Sequence, residues 1–176
     1  MTFDLRMLWR TALVAALFAV PGAALAQSAD SVSGDARAIG PDIIQIDKTE
    51  VILLGIDAPE AHQICTDSKG TWKCGESAFA VMDQVAKVAP VTCTLKGGPD
   101  PFQRRSGTCL RADGTDIASE MVKQGMAVPY PRDPENAKYT ADETAAKAAK
   151  IGLWEAGVKF DDPWVYRMKN DHSPLK

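Results

Sequence analysis

The sequence predicts one α+β domain, mainly β, in which a small barrel of strands is decorated by about three helices. Two observations carry that prediction. Short apolar and β-branched runs bounded by turn residues come first, at 39–46, at 50–56 and around Cys93 and Cys109. Segments with helical spacing are inserted between and after them, and no internal repeat or linker marks a second domain.

The chain opens on residues that read as a targeting signal. Arg6 and Arg10 precede an apolar run over 11–20, and Pro21-Gly-Ala-Ala-Leu-Ala26 supplies the small residues of a cleavage site. The run is shorter than the ~20 residues that a membrane-spanning helix needs. Cleavage is expected after Ala26, giving a periplasmic or secreted protein, monomeric and without stable membrane association. Losing Asp4, Arg6 and Arg10 takes the formal charge from −3 to −4. An acidic chain does not hold nucleic acid by bulk electrostatics, so contact with a phosphate backbone requires a local basic patch or a bridging cation.

Residues 27–37, rich in Ser, Ala and Asp, read as a disordered leader. Strands follow at 39–46 and 50–56, with Asp47-Lys-Thr49 as the turn between them. Over 76–88, Phe79, Met82, Val85 and Ala86 fall at helical spacing, and Pro90 stops the helix. Two more strands hold Cys93 and Cys109 on either side of a loop over 96–107. A short helix over 116–124 ends at Gly125, and Thr140-Ala-Asp-Glu143 reads as a capping box that opens an alanine-rich helix stopping at Gly152. The domain is expected to span 38–167, with 168–176 as a polar tail.

All four cysteines, at 65, 74, 93 and 109, lie in the part expected to be exported, where disulfides persist. Three pairings exist in principle. The pairs Cys65 with Cys74 and Cys93 with Cys109 are favoured, because each joins segments that local structure already brings close. Zinc is disfavoured by the lack of any Cys-x-x-Cys spacing.

The most informative stretch is Val51-Ile-Leu-Leu-Gly-Ile-Asp-Ala-Pro-Glu60, an apolar run that stops at a glycine and then delivers two carboxylates on either side of Pro59. Acids oriented on a rigid turn suit a hard cation or general-base chemistry. The plainer alternative is a surface turn with two solvated acids.

This stretch and its sequel resemble the staphylococcal nuclease-like (thermonuclease) family. The matching pieces are Gly40-Pro-Asp42-Ile, Ile52-Leu-Leu-Gly-Ile-Asp-Ala-Pro-Glu60, Asp100-Pro-Phe-Gln-Arg104, Asp113-Gly114 and Met121-Val-Lys-Gln-Gly-Met-Ala127, in the family's order, with a tail ending Gly152-Leu-Trp154. The resemblance implies an OB-type five-stranded barrel and an enzyme that hydrolyses phosphodiester bonds in DNA or RNA with Ca²⁺. On the matching positions it implies Ca²⁺ on Asp42, Asp57 and the Ala58 carbonyl, and Glu60 as the base that activates water. Arg104 would steady the phosphoryl oxygens, with Arg105 as a rival because the loop here runs one residue longer. Phe102 stands where the family has a tyrosine, and Tyr130 at the mouth of the nucleotide pocket.

Two departures argue against full competence. The family's first phosphate-binding arginine is Ile52 here, and its Asp-Gly-Asp-Thr has become Gly40-Pro-Asp42-Ile43. An aliphatic side chain offers a phosphate no donor, and losing one preorganised donor costs ~10²–10³ in rate. Lys48 and Arg111 are candidates to replace it, with nothing in the sequence bringing either to the site. His62 reads as a solvated loop histidine, and Trp72, Trp154 and Trp164 as packing residues rather than a stacking platform. Three functions follow: a calcium-dependent nuclease, a weakened module binding metal or polyanion through the same cleft, and a cell-envelope accessory protein of exopolysaccharide production.

Overall fold

The computed structural model describes residues 30–88 and 90–170; the expected signal at 1–26 and most of the polar tail lie outside the described residues. Its main sheet has six strands. They are β1 (Ser31–Gly34), β2 (Ala36–Gly40), β3 (Ile43–Ile46), β4 (Thr49–Leu53), β8 (Val91–Lys96) and β9 (Arg105–Arg111), in the order β1-β8-β9-β4-β3-β2. Two small ladders complete the β structure, β5 (Ile56–Asp57) with β10 (Val128–Pro129), and β6 (Cys65–Asp67) with β7 (Gly70–Trp72). Four helices are α1 (Cys74–Ala86), α2 (Ile117–Lys123), α3 (Thr140–Ala149) and α4 (Pro163–Asn170).

The two edges of the main sheet, β1 and β2, are consecutive in the chain and separated only by Asp35. One bent segment therefore carries both edges of the six-stranded sheet. The disordered leader expected over 27–37 is corrected here for its second half. Ser31–Gly34 pairs with β8 and Ser33 shares a hydroxyl hydrogen bond of 2.8 Å with Thr92, so a stretch of small polar residues becomes a strand through its partner.

Alternation sets the sheet's inner face. Ala36 and Ala38 of β2 and Ile44 and Ile46 of β3 point inward, while β4 is buried at Val51, Ile52 and Leu53 and pairs in parallel with β9. Met82, Val85 and Ala86 of α1 and Ile117, Met121 and Val122 of α2 close the core over that face. Burying each of the larger of these side chains contributes on the order of 2 kcal/mol. Phe79, expected on the inner face of α1, is 37% exposed, and Ala78 takes its place inside. Both favoured disulfides form: Cys65 with Cys74 ties β6 to the start of α1, and Cys93 with Cys109 joins directly opposed residues of β8 and β9.

The expected capping box at Thr140 is replaced by an earlier start. Asp133 caps a 3-10 turn, Pro134–Tyr139, its Oδ1 accepting from the Glu135 N–H at 2.8 Å, and the coil runs straight on into α3. Helix α4, whose first residue Pro163 has the fixed φ suited to a helix start, runs across the expected domain end at 167 and as far as Asn170 of the expected tail. Among the described residues no helix is long and apolar enough to cross a membrane.

Candidate functional site

Strand β4 ends at Leu53 and the chain turns at Gly55, where φ is +80°, a conformation that favours glycine. The turn is locked from outside: the Gly55 N–H donates to Asp133 Oδ2 at 2.9 Å, and its carbonyl accepts from the Tyr130 N–H at 3.0 Å. The chain then enters β5, which carries Asp57 inward to full burial. Past Pro59, the Gln63 N–H donates to the Glu60 carbonyl at 2.7 Å while Gln63 Oε1 accepts from the Glu60 N–H at 3.1 Å. Helix α1 presses on the same carbonyl, since a β-carbon on Gly75 would lie 1.8 Å from it. The two acids thus sit on a turn fixed at both ends.

Their main partner is a residue that sequence reasoning missed. Arg167 of α4 grips Asp57 with both terminal nitrogens, Nη1 to Oδ1 and Nη2 to Oδ2, each at 2.8 Å, and Nη1 also reaches Glu60 Oε1 at 2.5 Å. The Arg167 side chain is only 5% exposed and that of Glu60 31%. Burial pushes the Asp57 carboxyl up to about 6, with Arg167 pulling it down and Glu60 adding to the rise. Burial also works against the charge on Arg167, but the hydrogen bonds it donates to Asp57 and then to Glu60 outweigh it and hold the guanidinium above its ordinary range. The site is a fork of one guanidinium across two carboxyl groups.

Asp42 lies in the β2–β3 turn, 5% exposed, with its carbonyl accepting from the Leu53 N–H at 3.0 Å. Ala58, 2% exposed, follows Asp57 directly. Calcium takes six to eight oxygens, about 2.3–2.6 Å away. Both Asp57 oxygens here are engaged by a guanidinium, and among the described residues no group of three or more His, Cys, Asp or Glu side chains is disposed to hold an ion. As arranged, the donor set does not fit calcium.

The other predicted residues gather elsewhere, on a cavity of about 420 Å³. Ile52, Phe102, Arg104 and Tyr130 line it, joined by two cations not singled out from the sequence, Lys96 and Arg132. Ile56 is on this wall and Asp57 is not, as strand alternation requires. The Arg104 guanidinium carbon stands 5.1 Å from the centre of the Phe102 ring, and its Nε donates to Asp100 Oδ2 at 2.7 Å. Burial raises the Asp100 carboxyl, but bonds from the Arg104 backbone and side chain and from the Phe102 N–H outweigh it and leave the group below its usual range. Arg105 is absent from the wall, turned to Asp30 Oδ2 at 2.7 Å and the Gly97 carbonyl at 2.8 Å. Lys48 and Arg111 are absent from it too, Arg111 facing Asp113.

The acid turn after the apolar strand, with Asp57 and Glu60, and the cavity, with Arg104 over the Phe102 ring, are thus separate features, and neither Asp57 nor Glu60 lines the cavity. The sequence profile described as staphylococcal nuclease homologue matches residues 50–156. The chain belongs to this family. It is also 34% identical over 133 residues, 74% of this chain and 69% of the other, to a protein named succinoglycan biosynthesis protein ExoI from Rhizobium meliloti (strain 1021). Within this staphylococcal nuclease homologue, Arg167 and α4 fall beyond the matched residues. The only local sign of that helix is Asp161-Asp162-Pro163, an acidic start signal with proline at the first position.

Proposed function

We propose that this chain binds nucleic acid in the cavity and hydrolyses its phosphodiester bonds slowly. The observation that carries this reading is the cavity wall, which combines two aromatic faces, Phe102 and Tyr130, with three cations, Lys96, Arg104 and Arg132. A base stacks on such a face and a phosphate meets such donors. Lys96 is paired with Glu135 and Arg104 with Asp100, whereas Arg132 has no carboxylate partner among the described residues. Arg132 is therefore the residue to supply the donor that Ile52 lacks. A local basic wall of this kind also answers the chain's overall acidity.

Glu60 is the general base in this reading and Arg104 the group that steadies the phosphoryl oxygens. One Glu60 oxygen is tied to Arg167, and the carboxylate stays about a third exposed, within reach of water. Calcium on Asp42, Asp57 and the Ala58 carbonyl, as the resemblance implies, would require Arg167 to leave first. The two disulfides support export to an oxidising compartment. A second reading, an accessory role in making a cell-envelope polysaccharide, is favoured by the name of the 34% identical relative.

The test is hydrolysis of single-stranded DNA by the purified, oxidised protein, with millimolar Ca²⁺ or with chelator, alongside Glu60→Gln and Arg104→Ala. Slow cleavage lost in Glu60→Gln, with binding weakened in Arg104→Ala, is the expected result. A folded protein that neither binds nor cleaves DNA moves the assignment to the polysaccharide reading.

A further inference from the structure

We infer that Arg167 is the resident cation of the acid pair, standing where the family's site takes a divalent ion, so that this chain assembles Asp57 and Glu60 without calcium. A fully buried carboxylate needs a counter-charge held close, and the Arg167 fork supplies one with a bond to each Asp57 oxygen and a third to Glu60. Arginine suits the position because its planar guanidinium is always charged and matches a carboxylate two bonds at a time.

The cation is not a surface side chain that has folded in by chance. The segment carrying α4 is pinned to the stretch that follows the acid turn. Gln63, fully buried, donates from Nε2 to the Asp161 carbonyl at 2.7 Å, and Tyr166 Oη donates to the His62 carbonyl at 3.3 Å. Trp164 packs against Tyr130 with ring centres 6.1 Å apart, and Lys169 holds Asp161 at 2.9 Å. Residues just after Glu60 are thus bonded to residues that precede Arg167, which holds the guanidinium beside the carboxylates. A divalent ion sharing the Asp57 oxygens would stand against this guanidinium, charge facing like charge. Helix α4 also lies outside the stretch that the family profile matches, so the counter-charge comes from beyond residues 50–156.

The inference concerns cation binding and does not depend on turnover. It is tested by calcium titration calorimetry and by thermal melting in chelator or in millimolar Ca²⁺, on the unaltered oxidised protein, on Arg167→Gln and on Arg167→Gln combined with Asp57→Asn. The unaltered protein should show no saturable calcium heat and one melting temperature in both conditions. Arg167→Gln should melt lower in chelator and recover part of the loss in calcium, and the double variant should show no recovery. Saturable one-site calcium binding by the unaltered protein overturns the inference. So does a folded Arg167→Gln protein whose melting is unchanged, or one that calcium fails to rescue. If Arg167→Gln does not fold, the titration of the unaltered protein decides alone.

Discussion

Gly55 stands against the ring of Tyr139: a β-carbon at position 55 would lie 2.6 Å from Cε2, and 2.9 Å from the Glu135 carbonyl carbon. The contact seats the turn between β4 and β5 on the 3-10 turn that leads into α3. Gly55→Ala combines a left-handed backbone with overpacking, together about 3 kcal/mol. A thermal melt should fall by roughly 6–12 °C for a domain of this size, and a melt within a degree of the unaltered protein would refute the contact.

Ile52 is 7% exposed on the cavity wall, at the position where the resemblance would place an arginine. Under the proposed function, Ile52→Arg should raise single-turnover cleavage of DNA by roughly 10², the worth of one preorganised donor. No change would mean that Arg132 already supplies that donor or that the substrate takes another path, and an additional Arg132→Ala change separates the two.

Asp57 and Arg167 form a buried pair, at 0% and 5% side-chain exposure. Removing one partner alone, as in Arg167→Gln, should cost about 3–5 kcal/mol by stranding the other charge. Combining it with Asp57→Asn should cost less than the two single changes added together. Denaturant midpoints for the four proteins give the coupling; strict additivity would mean that the fork contributes nothing as a pair.

The disulfide between Cys93 and Cys109 closes a sequence separation of 16 residues, and that between Cys65 and Cys74 one of 9. Loop-closure entropy assigns the longer one about 3 kcal/mol. Replacing Cys93 and Cys109 together by Ala should therefore lower the melting temperature more than replacing Cys65 and Cys74. The reverse order would point to packing around Trp72 as the larger contribution of the shorter bridge.

Glu135 is held by Lys138 first and Lys96 second, which bring its carboxyl down from 4.5 to about 2. An acid depressed on folding stabilises above its unfolded value and loses that contribution as pH falls through the folded one. The melting advantage of the unaltered protein over Glu135→Gln should thus shrink between pH 4.5 and 2. An advantage that persists to pH 2 would assign it to something other than these ion pairs.

The parts of the fold legible in the sequence are those governed by local chemistry. The run from Val51 to Leu53, its stop at Gly55 and the acids around Pro59 announce a strand and a rigid turn through composition alone. The cysteine pairs follow from the proximity of their segments. Ser31–Gly34 was not legible, because four small residues become a strand only by meeting β8. Arg132 and Lys96 were not legible as cavity residues, since the wall is shared by β4, β8, the loop before β9 and the segment after β10. Arg167 had the weakest signal of all: a helix start was readable at Pro163, but which acid its guanidinium would meet depends on docking across the whole domain.

Arg167 follows Asp57 by 110 residues and Glu60 by 107. During synthesis both acids therefore emerge long before the group that neutralises them, and a nascent chain halted before α4 carries an interior anion with no Arg167 to meet it. The contact that matches the most deeply buried charge of the acid turn is therefore one of the last that the growing chain is able to make.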